Sequence, residues 1–166
     1  MQQGFNAQTD FNASAATAEQ TLEQLGIAYQ RRDDGTLFVP GNLALNGRGL
    51  RALPDLSRVE VGGTVWCSDN ALRSLRGSPY KVGGSFYCTG NGLVTLEGAP
   101  QAVGGGFYCQ DNNLPSLAGG PKEVGGTFSC FRNKLESLEG VPQTFNWICS
   151  DFGGYKTGGE VPRRHR

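Results

Sequence analysis

The sequence predicts a repeat solenoid that stacks parallel β-strands, and three observations lead to this fold class. First, one phrase of the form V-G-G-x-Φ-x-C-x-x-N-x-L-x-x-L-x-G-x-P, with an apolar Φ, is written four times between Val61 and Ser150. Second, its cysteines recur at residues 67, 88, 109 and 130, which is a period of 21 residues. Third, inward and outward positions alternate from Φ onwards, as in a strand with one buried face. Such a period is typical of units that bury their apolar faces only by stacking on each other.

The residues before the repeats are predicted to form an arm and then a cap. Residues 1–14 are rich in Gln, Asn, Ala and Ser and carry only Phe5 and Phe11 as bulky side chains, so we expect a flexible arm. Residues 15–42 are expected to cover the first rung of the solenoid, because an uncovered parallel strand would expose an edge and half a core.

The cap is predicted to contain a helix and a hairpin. The helix runs from about Thr17 to Leu25, with Thr17 or Ser14 as its N-cap and Gly26 as its stop signal. After it, residues 27–39 show two alternating apolar runs joined around an Asp-Gly pair at residues 34–35, which indicates a β-hairpin.

The solenoid itself is predicted to cover residues 43–150. In its first, atypical rung Arg48 stands where later rungs have asparagine, and leucines at 43, 45, 50 and 53 replace the Φ, Cys and two Leu positions. The last strand is expected to place Trp147 at the Φ position and Cys149 at the cysteine position. Residues 151–166 lack the Asn and Leu positions, and we expect a closing cap followed by a basic tail.

The recurring residues each have a predicted structural role. Φ and Cys should point into the core, with two leucines of each phrase packed behind them. The asparagine should bond backbone groups that the turn after the strand leaves without partners. The prolines favour extended, polyproline-like returns on the convex side over helices. The asparagines are Asn70, Asn91, Asn112 and Asn133, and the prolines are Pro79, Pro100, Pro121 and Pro142.

These repeats resemble a known family. The run Phe86-x-Cys88-x-x-Asn91-x-Leu93 is similar to the L-x-L-x-x-N-x-L part of the leucine-rich repeat pattern L-x-x-L-x-L-x-x-N-x-L, and the similarity covers roughly residues 41–150. The variant with Gly-Gly and Cys in place of leucines resembles a repeat type of small proteins from tailed bacteriophages and bacteria. The resemblance implies a right-handed leucine-rich repeat solenoid with a parallel sheet on its concave side and helix-poor convex returns.

Composition and charge exclude several classes of function. Lys plus Arg and Asp plus Glu are balanced at 15 each, which gives no overall electrostatic case for nucleic acid or an anionic membrane as partner. The N-terminus lacks a basic start and an apolar run, and no stretch is long and apolar enough to span a membrane. Together with the cysteine pattern this favours a reducing, cytoplasmic setting, and no cofactor is indicated.

The cysteines are the first candidates for chemistry, but a buried ladder of reduced thiols is the favoured interpretation. On adjacent rungs their Cβ vectors would be parallel, which opposes a disulfide, and a line of thiols does not give the tetrahedral geometry of zinc. Cys149-Ser-Asp151 resembles the Cys-x-Asp motif of bacterial leucine-rich-repeat ubiquitin ligases, whose large helical catalytic domain this chain has no room for after Cys149. His165 stands in the basic tail, so the sequence predicts no catalytic residue.

The outward side chains of the strands are the stronger candidates for function. Their central ladder is predicted to consist of Trp66, Tyr87, Tyr108, Ser129 and Ile148. Aromatic side chains with a polar tip are favoured in protein interfaces, although cross-strand aromatic pairs also simply stabilise sheets. The predicted partner-binding residues are Trp66, Tyr87, Tyr108, Phe131, Arg132, Asp69, Gln110 and Asp111.

From these residues we predict a non-catalytic, monomeric protein-binding module that uses the concave face of the solenoid. The resemblance to phage proteins implies a bacterial host protein as the partner, for example an antiviral defence component such as a CRISPR nuclease, in the host cytoplasm. The alternative is a structural or self-assembling part in which the open sheet edge near Cys149 pairs two copies. A third hypothesis, an enzyme whose activity depends on Cys149 or His165, has the least support.

Overall fold

Within residues 16–156 the chain folds as a β-solenoid of about five turns with almost no helix. The computed structural model describes residues 16–156. The predicted N-terminal arm, His165 and most of the basic tail lie outside the described residues. Two sheets face each other across one apolar core, so the coarse prediction of a stacked parallel solenoid is confirmed.

The first sheet, sheet A, contains six strands in the order β1-β2-β4-β6-β8-β10. All of its pairs are parallel except β1 with β2. The strands are β1 (Gln30–Arg31), β2 (Leu37–Val39), β4 (Val59–Val61), β6 (Lys81–Val82), β8 (Ala102–Val103) and β10 (Glu123–Val124).

The second sheet, sheet B, contains seven strands in the order β13-β12-β11-β9-β7-β5-β3. Its pairs are parallel except β12 with β13. The strands are β3 (Leu43–Ala44), β5 (Val65–Trp66), β7 (Phe86–Tyr87), β9 (Phe107–Tyr108), β11 (Thr127–Ser129), β12 (Trp147–Ser150) and β13 (Gly153–Lys156). Sheet A is therefore closed by an antiparallel hairpin at its N-terminal end, and sheet B by one at its C-terminal end.

The predicted N-terminal helix is present as α1 (Ala18–Gln24). Its N-cap is Thr17, and the side chains and backbone N–H groups of Thr17 and Gln20 bond each other as a capping box. Gly26, at φ 69°, follows the C-cap, and the N–H of Ile27 donates to the carbonyl of Leu22 at 2.9 Å. The stop signal read from Gly26 therefore acts as expected.

The predicted hairpin is also present, as β1 and β2. Arg31 pairs with Leu37, and the turn between the strands contains Gly35 at φ 82°. The side chain of Asp34 accepts hydrogen bonds from the N–H and the hydroxyl of Thr36, which lowers the pKa of Asp34. The role of this helix and hairpin as a joint cap stays a prediction.

The core contains the inward residues that the repeat predicts. The Φ residues, the first four repeat cysteines and the leucines behind them are buried, except for the partly buried Leu135. Phe86 and Phe107 stack at 5.4 Å between ring centroids. The fully buried members at the strand positions are Val65, Phe86, Phe107, Phe128, Cys67, Cys88, Cys109 and Cys130.

The asparagines bond the backbone of neighbouring rungs, as predicted. Asn91 Oδ1 accepts from the N–H groups of Asn70 and Leu72 at 3.2 and 3.1 Å. Its Nδ2 donates to the carbonyls of Cys67 and Cys88, both at 3.1 Å. Equivalent donor bonds are made by Asn70, Asn112 and Asn133. One amide side chain thus satisfies backbone groups on two rungs.

The return segments differ from the prediction. They are extended and free of helix, but the residues after the prolines pair as the parallel strands of sheet A instead of forming an unpaired polyproline run. The reason is the valine of each phrase: Val61, Val82, Val103 and Val124 are buried and stand in register on adjacent rungs. A β-branched residue at a regular spacing was the signal for a second sheet.

The Gly-Gly pairs allow the rungs to approach closely beside sheet A. A Cβ on Gly83 would lie 2.5 Å from the carbonyl oxygen of Gly62, and one on Gly104 would lie 2.3 Å from that of Gly83. Real Cβ atoms do not approach backbone so closely, so any side chain here would force the rungs apart.

Candidate binding surface

An unbroken stack of three aromatic rings lies on the outer side of sheet B. Trp66 pairs in register with Tyr87, and Tyr87 pairs with Tyr108. The ring centroids of Trp66 and Tyr87 are 6.4 Å apart at an interplanar angle of 12°, and those of Tyr87 and Tyr108 are 4.5 Å apart at 5°. We call the outer side of sheet B around these three residues the aromatic face.

The stack has a direct consequence for what can be bound. Tyr87 has a neighbouring ring on each side, and the Tyr108 ring covers one of its faces. What it presents to solvent is its ring edge and its hydroxyl group. All three rings are half-buried, which leaves an amphipathic ridge on the surface.

Tyr108 is held against the sheet by the residue two positions before it. A Cβ on Gly106 would lie 2.6 Å from the Tyr108 hydroxyl and from Cε2, so the ring occupies the space above this glycine. Gly106 is buried as a result. Burial, with a smaller contribution from Tyr87, raises the pKa of the Tyr108 phenol above its ordinary value of 10.0.

Neutral hydroxyl groups flank the aromatic stack. On one side Thr64 Oγ1 accepts from the N–H of Ser85 at 3.2 Å, and Ser85 Oγ accepts from that of Gly106 at 3.0 Å. On the other side Ser68 Oγ accepts from the N–H and the hydroxyl of Thr89 at 3.1 and 3.0 Å. The hydroxyls thus continue the rung-to-rung bonding on the surface.

The predicted rim residues gather at the C-terminal part of the face. Arg132 Nη1 lies 3.1 Å from Asp111 Oδ1, and the Arg132 guanidinium lies 5.3 Å from the centroid of the Phe131 ring. Both charged side chains are exposed, so water screens the pair strongly. The pair orders the Arg132 side chain over Phe131 more than it stabilises the fold.

A shared backbone conformation positions the charged rim. Asp69, Asp111 and Arg132 have φ values of 56°, 58° and 51°, and glycines occupy the equivalent positions 47 and 90 with φ values of 64°. This left-handed conformation suits Gly and Asp but costs a residue such as arginine roughly 1 kcal/mol. The alternation of Asp and Gly directly before Asn70, Asn91 and Asn112 was the sequence signal for this turn.

The structure separates the remaining predicted site residues from the rim cluster. Asp69 is exposed, and a Cβ on Gly90 would lie 2.6 Å from its Oδ1, so its carboxylate rests on the next rung. Gln110 stands between Thr89 and Phe131, and its Oε1 is buried without a hydrogen-bond partner among the described residues. Within the predicted rim, Arg132 joins Asp111 and Phe131 in one cluster.

The register of the last strand corrects one prediction. Ile148 pairs with Phe128 and is fully buried, so it belongs to the core and not to the outward ladder. Trp147, expected at the Φ position, is 37% exposed on the outer side. Cys149, expected in the core, pairs with Ser129 and takes the outward position. The sequence W-I-C-S is apolar at adjacent positions, so alternation alone cannot decide between the two registers.

Two residues that the sequence analysis missed extend the surface. Trp147 pairs with Thr127 and lies on the same outer side as the stack, two strands beyond Tyr108. At the other end Arg48 Nη2 donates to the carbonyl of Ala44 at 3.2 Å, and Ala44 pairs with Trp66. The sequence indicated that Arg48 is exceptional, since it stands where the other rungs have asparagine.

The cysteines offer little for chemistry at the ladder positions. All five are free, and the first four are fully buried. Burial raises the pKa of the thiols of Cys67, Cys88 and Cys109, and raises that of Cys130 to about 12. The thiols of Cys67, Cys88 and Cys109 donate to carbonyls of the next rung. They are therefore protonated and poor nucleophiles near neutral pH.

The sheet edge predicted near Cys149 is covered. Strand β13 pairs with β12 over four residue pairs, from Trp147 with Lys156 to Ser150 with Gly153. Asp151, in the turn between the two strands, accepts from the N–H of Arg132 at 2.9 Å and so ends the ladder of asparagine side chains. Pairing of two copies through β12 is therefore not available in this arrangement.

Comparisons with family models, with curated proteins and with solved structures find no match for this chain. Within residues 16–156 no helix is long and apolar enough to cross a bilayer. In the same part of the chain no three His, Cys, Asp or Glu side chains come together as metal ligands would.

Proposed function

We propose that this protein is a binding module that captures another protein on its aromatic face. The observation that carries the proposal is the stack of Trp66, Tyr87 and Tyr108, which places three large amphipathic side chains on adjacent strands of a rigid sheet. Tyrosine and tryptophan supply much contact area at a small cost in conformational entropy, because each has only two side-chain torsions. In this arrangement the neighbouring rings limit those torsions further.

The surroundings of the stack support a protein as the partner. Ser68, Ser85 and Thr89 are half-buried and neutral, and they stand beside the rings as small hydrogen-bonding groups do in antibody paratopes. Sugar rings and nucleobases bind aromatic side chains mainly through the ring faces. At Tyr87, which has an aromatic neighbour on each side, the ring edge and the hydroxyl are left for contacts with peptide groups.

The resemblance to small phage repeat proteins supports a narrower form of the proposal. On that basis the partner is a bacterial host protein, such as a component of an antiviral defence system, and the complex forms in the host cytoplasm as inhibition without catalysis.

A capture experiment tests the proposal. The immobilised protein is incubated with bacterial lysate beside the double variant Tyr87→Ala and Tyr108→Ala, and bound proteins are identified by mass spectrometry. We expect a specific partner that the wild type retains and the double variant loses, because truncated interface tyrosines commonly weaken binding by about tenfold or more.

The matched control removes a tyrosine from the other sheet. Tyr80 is half-buried beside sheet A, where its hydroxyl donates to Glu60, and Tyr80→Ala should leave the capture unchanged. If the double variant recovers the same proteins as the wild type, the aromatic face is not the binding site. Light scattering of the wild type alone shows whether the captured partner could be a second copy.

A further inference from the structure

Two arginines of the described chain stand apart from all the others. Each remaining arginine within residues 16–156 contacts an oxygen of a carboxylate or a carbonyl group. The guanidinium groups of Arg51 and Arg73 have no hydrogen-bond or ion-pair partner among the described residues, and both side chains are exposed. The paired arginines are Arg31 with Glu19, Arg32 with Glu60, Arg48 with Ala44, Arg58 with Asp34, Arg76 with Glu97, and Arg132 with Asp111.

These two arginines occupy equivalent positions on adjacent rungs. Each stands two residues before a leucine of its rung, Leu53 or Leu75. The rungs are joined directly at this place, because the N–H of Ala71 donates to the carbonyl of Leu50 at 2.8 Å. The two arginines therefore stand next to each other on adjacent rungs.

Both arginines line one depression on the side of the solenoid, with a volume of about 530 Å³. The other lining residues are Asn70, Ala71, Asn91 and Gly92. The depression exists because Ala71 and Gly92 are small where the following rungs carry Asn113 and Lys134. None of the lining residues is acidic, and the amide groups of the two asparagines are already bonded to backbone. The arginines are therefore the free polar groups of this site.

We propose that Arg51 and Arg73 form a binding site for a phosphate-type dianion. Each guanidinium presents a planar fork of N–H donors that matches a pair of oxygens. A single carboxylate has only two oxygens and is satisfied by one fork, whereas a phosphate group has enough oxygens for both. A dianion also balances both charges and removes the repulsion between them. The site is independent of the aromatic face.

The experiment is a titration with inorganic phosphate, followed by NMR of the backbone amides and the arginine side chains at pH 7.5 and constant ionic strength. The wild type is compared with Arg51→Gln, with Arg73→Gln and with the control Arg76→Gln, whose arginine is exposed but paired with Glu97. We expect saturable shifts at residues 71–73 and 92. Each site variant should weaken binding by about tenfold, as the loss of a charge-assisted hydrogen bond does, while the control binds like the wild type.

Two further probes identify the source of the phosphate group. A phosphoserine peptide and a short single-stranded oligonucleotide with a 5′-phosphate carry such a monoester on different chains, and tighter binding of either that is lost in the same two variants supports the site. The proposal is overturned if the shifts do not saturate, or if Arg51→Gln and Arg73→Gln both bind phosphate as tightly as the wild type does. The second result would assign the binding to another basic segment, such as residues 163–166, which all variants retain.

Discussion

The ring of Tyr108 lies over Gly106, where a side chain would otherwise stand. This contact fixes the last ring of the aromatic stack. We predict that Gly106→Ala displaces the Tyr108 ring, since the new methyl would lie 2.6 Å from it. The stacking contribution of the Tyr87–Tyr108 pair, about 0.5 to 1.5 kcal/mol, would be lost from the free energy of unfolding. The near-ultraviolet circular dichroism of the tyrosines should weaken at the same time.

A matched control for this substitution is Gly41→Ala. A Cβ at Gly41 would meet no atom within 4 Å, so its near-ultraviolet spectrum should equal that of the wild type. An unchanged spectrum for Gly106→Ala would show that Tyr108 does not depend on the glycine beneath it.

The hydrogen bonds of the asparagine ladder predict that replacing Asn91 with alanine lowers the stability of the protein strongly. Asn91→Ala leaves two backbone N–H groups and two carbonyls without their side-chain partner. We expect the free energy of unfolding, measured with urea, to fall by about 2 kcal/mol or more, because each unpaired buried group costs about 1 to 3 kcal/mol. Asn113→Ala is the control, since that asparagine is exposed and should change stability little. Equal midpoints for the two variants would reject the structural role of Asn91.

The buried thiols predict a loss of stability in alkaline solution. Their pKa values are raised in the folded protein, whereas in the unfolded chain they ionise near the ordinary value of 9.0. The stabilising contribution is therefore complete below pH 9 and is lost as the pH rises from there towards the folded pKa. Well above pH 9 each thiol should lower the free energy of unfolding by about 1.4 kcal/mol per pH unit.

This pH dependence can be assigned to one thiol with Cys109→Ala. Urea unfolding under reducing conditions between about pH 9 and 10 should give a slope that is smaller by about 1 kcal/mol per pH unit, because an unfolded thiol is only partly ionised in this range. If the variant and the wild type have the same slope, ionisation of the buried cysteines does not cause the alkaline loss.

Thiol labelling separates Cys149 from the ladder cysteines. Cys149 is half-exposed on the outer side of sheet B, while Cys67, Cys88, Cys109 and Cys130 are fully buried. We expect one thiol to react quickly with a disulfide reagent in the native protein and all five to react after denaturation. Cys149→Ser should remove the fast reaction. Fewer than five thiols after denaturation would indicate a disulfide, and several fast thiols would contradict the burial of the ladder.

The sequence predicted those features that repeat in every rung. Local spacing, which can be counted in the sequence, determines these features. They are the 21-residue period, the inward Φ and Cys residues and the bonding of the asparagines. The capped helix at Thr17 and Gly26 followed for the same reason. The second sheet was missed because Val82 and its equivalents stand at the start of the repeated sequence. In that position they were interpreted as the beginning of the following strand of sheet B and not as a separate strand.

The candidate site was predictable only where its residues follow the period. Trp66, Tyr87 and Tyr108 could be placed on one face because they share a position in three regular rungs. Trp147 and Cys149 were misplaced, since the last rung is one residue shorter than the others and only packing decides that Ile148 is buried. The site at Arg51 and Arg73 depends on which arginines lack partners, and that follows from the folded arrangement alone.

The two antiparallel hairpins close the ends of the solenoid, so the number of repeats between them can change without opening either end. Strands β1 and β2 finish sheet A on one side, and β12 and β13 finish sheet B on the other. Between them the rungs contact only their neighbours, so one repeat of 21 residues can be regarded as the unit in which the solenoid is lengthened or shortened. Inserting a further repeat between β9 and β11 would extend the aromatic face by one strand. The outward residue of that strand could be any amino acid.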